Sequence, residues 1–438
     1  MIFVYLLKIN VNLKSQILRL KSIFPGWLVV LGASIALVAS QGASGAPLGV
    51  LQRPMLDELG WSSTQYSLSA TLSSLLGGVA GIIVGPFLDK FGARRLVFFG
   101  AVVIALSFFG LSQMNSFIVF LILAALAGAL GTTLAGPFVV NVTVAKWFVV
   151  NRGWALALGS TGVSIGNMLW PIVMTNLVDM WGWRDGYFWL ASIVLGLLVV
   201  SGLLLRSKPE DYGLLPDGVG VETADSQRKS DYLRVVDDSE NSLTRGQALR
   251  TRSLWLISGA YGIHMAALVA VLMHGIPFMT DSGFSRNIAA SAMAINGFAN
   301  LCSKAPWAWG LGRFPVRYLA ALTFASSGTG VGLMLIATSF QSLPLLVLGF
   351  FFWGFGFGGT IPVGESIWAD YYGRKYLGAV RGVGKPLTII LASLGPLLVG
   401  WSFDIYESYR GAFFCLVVGY CFGAVMILNS PRPRPTHV

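Results

Sequence analysis

The sequence predicts an all-α membrane protein whose twelve transmembrane helices form two six-helix, pseudo-symmetric halves. Three observations lead there: the composition, the spacing of long apolar runs, and a single long polar interruption near the middle. Of 438 residues, 55% are hydrophobic and 11% charged, and the mean hydropathy is +0.71. One water-soluble core cannot hide that much apolar surface. In hydrocarbon only helices and closed barrels satisfy the backbone, and the alternation of barrel strands is absent. Runs long enough for a spanning helix, roughly 20 residues, fall near 26–50, 64–88, 96–114, 117–143, 153–177, 187–205, 253–279, 288–311, 318–338, 343–367, 380–402 and 411–429.

The charges then orient these spans. Lys8, Lys14, Arg19 and Lys21 precede the first; Lys90, Arg94 and Arg95 follow the second; Lys146 and Arg152 follow the fourth. Eight bases sit between spans six and seven, Arg313 and Arg317 follow span eight, Arg374, Lys375 and Arg381 follow span ten, and Arg432 and Arg434 close the chain. The opposite loops carry only Arg53, Arg184, Arg286 and Arg410. That excess marks one face as cytoplasmic, places both termini there in a cytoplasmic membrane, and accounts for the net charge of +11 without nucleic acid. Residues 1–24 lack a signal-peptide cleavage pattern and read as an interfacial helix or an extended start. Cys302, Cys415 and Cys421 fall within spans, so no disulfide framework is implied.

The polar interruption, 207–252, is expected to be a cytoplasmic linker, its stretch "DGVGVETADSQRKSDYLRVVDDSENS" (217–242) being too charged and too poor in apolar residues to pack. It separates a half at 25–206 from a half at 253–430, with a tail at 431–438. Sliding one half over the other pairs "FLDKFGARRL" (87–96) with "GLGRFPVRYL" (310–319), an offset of 312 − 89 = 223. Pro137 pairs with Pro362 and Pro171 with Pro396, and "GWRDGYF" (182–188) meets "SYRGAFF" (408–414). Four matches at equivalent places among the spans indicate an internal repeat.

Two such halves around a midplane cleft resemble the major facilitator superfamily. The segment "GPFLDKFGARR" is similar to that family's signature between spans two and three, and the resemblance covers nearly the whole chain. More narrowly, "WFVVNRGWALALGSTGVSIG", "KPEDYGLLPDG" and "LGPLLVGWSFD" look like the monocarboxylate transporter and oxalate/formate antiporter branch. The resemblance implies a gate at the cytoplasmic end, made by Asp89 with Gly85, Gly92, Arg94, Arg95 and Arg152. Asp89 is expected to face the first turn of span eleven, Leu377 to Arg381, with Arg94 or Arg152 as its base. The repeat has Gly312 where that acid would be, so the lock is expected on one side only. Glycines at four-residue spacing, Gly77, Gly81 and Gly85, and Gly162 with Gly166, allow close helix approach, and the four repeated prolines allow bends.

Charges within spans usually face a cavity. Lys304 lies in span eight, where the resembled branch keeps a substrate-binding base. Arg381 and Lys385 share one face of span eleven, and Arg381 belongs either to the cargo site or to the gate. Glu365 is the one clear carboxylate within a span. A cleft with this balance favours an organic anion, with Asn167, Asn296, Asn300, Trp170, Tyr261, Trp307 and Trp353 as candidate lining residues. His264 and Glu365 are candidate proton carriers, leaving proton symport and exchange against a counter-anion both open. A monomer is expected, and no cofactor is implied. His264, His274 and His437 have no metal-ligand spacing, and phosphate-loop and nucleophile-elbow motifs are missing, which argues against an enzyme. A carrier of a neutral solute or drug, or a transporter-like nutrient sensor, are the alternatives.

Overall fold

The computed structural model describes residues 24–43, 45–61, 63–218, 233, 234, 236, 238 and 242–433. The expectation for the extreme N-terminus, and Arg434, lie outside these residues. The first helix group comprises α1 (Gly26–Gly42), α2 (Gly45–Leu59), α3 (Ser63–Phe91), α4 (Ala93–Gln113), α5 (Phe117–Ala125), α6 (Thr132–Ala135), α7 (Pro137–Trp147) and α8 (Arg152–Leu204). A π-helical segment, Leu126–Gly131, joins α5 to α6. After a short α9 (Arg245–Leu249), the second group comprises α10 (Arg252–Asp281), α11 (Arg286–Leu311), α12 (Val316–Phe340), α13 (Leu343–Tyr372), α14 (Leu377–Tyr406) and α15 (Arg410–Leu428).

Among the described residues, nine helices are long and apolar enough to cross a membrane. One of them, α8, has 53 residues, about 80 Å at 1.5 Å per residue, more than twice the roughly 30 Å of a bilayer's hydrocarbon. It is two rods, divided at Gly182, whose φ of +80° only glycine adopts without strain. The pair α1 and α2, and the more polar α11, supply the remaining crossings, so the arrangement is consistent with the twelve expected spans. The first expected span, 26–50, is met by two helices: α1 ends at Gly42, and α2 runs from Gly45 past the end of that apolar run to Leu59. Pro137 begins α7 rather than bending a helix, because a proline at the first helical position lacks only an N–H that would be unpaired anyway. Side chains such as Ile118, Leu106 and Phe340 are two-thirds or more exposed on the outer surface, as lipid contact requires.

Without a hydrophobic drive between helices in lipid, close van der Waals packing must hold the bundle. Glycine supplies it. A Cβ at Gly162 of α8 would lie 2.1 Å from the Ser34 carbonyl of α1, and one at Gly330 of α12 would lie 2.4 Å from the Trp353 amide of α13. One apolar core runs through the first group and into one end of the second, joining Leu88, Val140 and Leu156 with Leu254, Ile367 and Leu377. That end also carries Asp89, Lys146, Arg152 and Arg374, and is called here the basic end. A separate core, built around Val271, Phe278, Phe350 and Phe413, fills the opposite end of the second group and contains no residue of the first.

At that opposite end Glu58 and Arg410 find their described partners within their own groups. Trp183 and Arg184 donate to the Glu58 carboxylate at 2.6 and 3.0 Å. Those bonds hold its pKa below the usual carboxylate range. In the second group Arg410 donates to Ser339 at 2.7 Å.

The connector docks on the helices on both sides of the stretch expected not to pack, 217–242, most of which lies outside the described residues; within that stretch Asp217 and Asp238 are themselves bound at the basic end. Pro209 and Pro216 are buried in short 3₁₀ turns, and Leu243 and Ala248 are buried against the helices. Trp147 donates to the Arg206 carbonyl at 3.1 Å and packs on Tyr212. Low apolar content did not prevent docking, because the connector's acids find bases and amides at the basic end.

Candidate functional site

The contact foreseen for Asp89 is present. The first turn of α14 has amides with no intrahelical acceptor, and Gly378 and Ala379 donate theirs to the Asp89 carboxylate at 3.1 and 2.8 Å. A carboxylate at a helix N-terminus gains about 0.3–2 kcal/mol. The base, however, is neither Arg94 nor Arg152. Lys146, from the end of α7, reaches Asp89 at 2.5 Å. Arg94 is committed to the Gly202 and Leu203 carbonyls at 2.9 and 2.5 Å, and Arg152 pairs with Asp238 at 3.0 Å. Arg95 is exposed, and Gly92 serves the turn between α3 and α4, with φ of +76°. Gly85 contributes directly: a Cβ there would stand 2.3 Å from the Gly378 carbonyl, and one at Gly382 would stand 2.4 Å from the Gly81 carbonyl. The two helix groups therefore touch backbone to backbone.

Toward the middle of the bundle, the groups meet again through two cations. Lys304 of α11, 6% exposed, donates to the Ser160 hydroxyl of α8 at 3.1 Å. Ser160 spends its own proton on the Ala157 carbonyl at 2.8 Å, so its oxygen is free to accept. Lys385 of α14 donates to the Thr133 hydroxyl of α6 at 3.0 Å and lies over the Phe138 ring at 5.0 Å. Among the described residues neither ammonium has a carboxylate within salt-bridge distance. Each carries three donors and meets one weak hydroxyl acceptor.

Arg381 behaves differently although it lies one turn from Lys385. Its guanidinium meets Glu365 of α13 at 3.2 and 3.3 Å, inside the second group, so it joins neither Asp89 nor the free cations. Glu365 is thereby neutralised. Tyr261 is buried beside Gly364, and its hydroxyl has no hydrogen-bond partner. Asn300, partly exposed, stands one turn before Lys304 on the same helix.

Several expected lining residues lie elsewhere, because large rings with a polar tip are most cheaply placed where the tip finds a carbonyl. Trp170 is buried between α8 and α1, donating to the Val38 carbonyl at 2.7 Å. Trp307 donates to Phe355 at 2.8 Å, and Trp353 to Tyr420 at 3.2 Å. Asn296 is packed against Gly354, and Asn167 is exposed. His264 is fully buried inside the second group, stacked on Phe324 at 4.4 Å and sharing a hydrogen bond with Thr360 at 3.0 Å.

Sequence reasoning missed Ser160, Thr133 and Lys146. All three are small or basic residues whose chain neighbours announce packing or topology. The available signal was the absence of any acid in the span that holds Lys304, which obliges that base to find a neutral partner on another helix.

A sequence model of the Major Facilitator Superfamily matches residues 33–383 and 267–438. The membrane sensor protein UhpC of Salmonella typhimurium is 26% identical over 400 residues, covering 85% of each chain. Monocarboxylate transporter 14 of Mus musculus is 24% identical over 487 residues, covering 92% of this chain and 90% of that one. The fujikurins efflux protein of Gibberella fujikuroi is 29% identical over 190 residues, and that match spans only 42% of this chain and 39% of the relative. Among solved structures, the proton:xylose symporter XylE aligns with a TM-score of 0.72 at 14% identity, covering 93% of this chain and 96% of that one. Likeness at that identity concerns the fold alone.

Proposed function

As the chain belongs to the Major Facilitator Superfamily, we propose that it is a secondary transporter carrying a small organic anion, a mono- or dicarboxylate, across the cytoplasmic membrane by alternating access. The observation that carries the reading is that Lys304, buried, and Lys385, partly buried, each donate to a hydroxyl of the opposite helix group and have no carboxylate within salt-bridge distance among the described residues. Burying charge is costly unless it is paired, and a carboxylate entering between the groups supplies the missing partner to both. The similarity to a monocarboxylate transporter over most of the chain supports the same cargo class. On this reading the basic end faces the cytoplasm, and the Asp89 contacts close it.

Of the proton candidates, His264 is enclosed within one group and Glu365 is already matched by Arg381. Exchange of one anion for another is therefore the favoured coupling. Uptake of labelled lactate, pyruvate, oxalate and a neutral sugar into proteoliposomes, with and without internal counter-anion or a proton gradient, tests cargo and coupling together. Lys304→Gln and Lys385→Gln each reduce carboxylate uptake about tenfold or more. Wild-type rates in both variants, or transport of the sugar alone, overturn the anion assignment. A sensor is the second reading, favoured by the similarity to UhpC over 85% of the chain; it predicts saturable anion binding without net uptake.

A further inference from the structure

The internal repeat sets a puzzle at the basic end. Asp89 locks α3 to the N-terminus of α14, yet its counterpart on α11 is Gly312, which has no side chain to lock α11 to the N-terminus of α8. The two helices nevertheless pack closely: a Cβ at Gly153 would stand 2.8 Å from Leu311 and 3.0 Å from the Ala308 carbonyl. The amides before α8 are not left unpaired. Val149, Val150 and Asn151 donate to the Asp217 carboxylate at 2.6, 2.8 and 3.0 Å, and Asp217 belongs to the connector. It holds a left-handed φ of +57° to do so, a conformation that costs an ordinary residue free energy.

Asp217 and the Trp147–Tyr212 contact fasten the first stretch of the connector to the first helix group. From that anchored stretch Glu210 reaches Arg374, in the turn between α13 and α14 of the second group. Arg374 also lies 3.4 Å from Asp238, whose other oxygen is held by Arg152 at 3.0 Å. Arg374 is 8% exposed and Arg152 7%, so both cations depend on these carboxylates. Chain connectivity alone would be served by a slack segment that touched neither group.

We infer that the connector is a working part of the inner gate: Arg374 latches onto Glu210, and Asp238 onto Arg152. The second group cannot swing away from the first at the basic end without withdrawing Arg374 from Glu210 and Asp238 from Arg152, because Asp238 and Ser242 sit against Gly373 and travel with the second group. The connector thus adds, at the end where the repeat has lost one acid, a closing contact beside that of Asp89. This rests on the alternating-access reading above, and its test separates the two.

The experiment measures distances between spin labels at Arg95 of the first group and Arg313 of the second, both exposed. It uses the full chain in lipid nanodiscs, with Cys302, Cys415 and Cys421 replaced by serine. Arg374→Gln raises the population of the long, open distance about fivefold or more. Glu210→Gln and Asp238→Asn each give part of that rise, while Arg374→Lys, which keeps the charge, gives less than Arg374→Gln. Asp89→Asn is the reference variant. A rise with Asp89→Asn and none with Arg374→Gln, Glu210→Gln or Asp238→Asn overturns the latch and leaves the gate reading intact. A distance distribution unmoved by any of the four overturns both. Glu210→Gln, at a half-exposed acid, keeps the test usable should Arg374→Gln fail to fold.

Discussion

The two ends of the molecule are built from the same kinds of residue and are held in opposite ways. At the basic end a continuous apolar core passes from one helix group to the other, and Asp89, Gly85 and the connector's acids all make contacts that cross between groups. At the far end the second group keeps a core of its own, and among the described residues Glu58, Arg184 and Arg410 bond within their own group. An alternating-access carrier needs two closures that are never both released. The difference between the ends teaches that in this conformation the basic end is the one held shut, and that among the described residues no contact of comparable extent joins the two groups at the far end.

That contrast can be attacked at the contact that most constrains it. Gly85→Val should have the largest effect, since its Cβ would meet the backbone of Gly378 and Ala379, which cannot move aside as a side chain could. The basic end should then fail to close, and the open population, read by distances between labels on the two groups, should rise about a hundredfold. Asp89→Asn comes next. It keeps the shape but removes the charge that Lys146 and the α14 amides share, and should shift the same population about tenfold. An unchanged distribution would mean that Asp89 matters for topology alone.

The smallest effect belongs to the far end. Glu58→Gln should leave the distance distribution untouched, because its partners are all in the first group. The carboxyl's lowered pKa fixes the sign of its pH dependence. Its stabilising bonds are present above the usual carboxylate range and are lost as pH falls through the lowered folded value. The variant should therefore melt slightly below wild type at neutral pH, by about 1 °C, and match it in strong acid. A shift of the distribution by Glu58→Gln would place a second lock where none has been described.

Much of this was legible from the chain. Membrane class, spans and repeat follow from apolar surface and loop charge, quantities that add along a sequence. The meeting of Asp89 with the first turn of α14 was foreseen from the resemblance of "GPFLDKFGARR" to a family signature whose acid faces that turn; the charge pattern alone showed only that an acid among bases needs an explanation beyond topology. Lys146 was missed as its partner because a base at the end of a span is sufficiently explained by topology, and only the fold reveals what stands opposite. The aromatics Trp170, Trp307 and Trp353 read equally well as cleft or core from sequence, and geometry decided for core by offering each a hydrogen-bond acceptor. The connector was misread for a different reason. Composition measures how much apolar surface a segment brings, whereas Glu210, Asp217 and Asp238 dock through bonds whose other halves lie 66 to 164 residues away in the chain.

The π-helical stretch Leu126–Gly131 lies just before Thr133, whose hydroxyl receives Lys385. Such a turn holds one residue more than an α-helical turn of the same rise. Were the same residues wound as a plain α-helix, the surplus residue would rotate everything up to the break at Gly136 by about 100° and swing Thr133 off the lysine while every side chain kept its identity. The angular phase of one helix, set by a surplus residue, decides whether that cation has a neighbour at all.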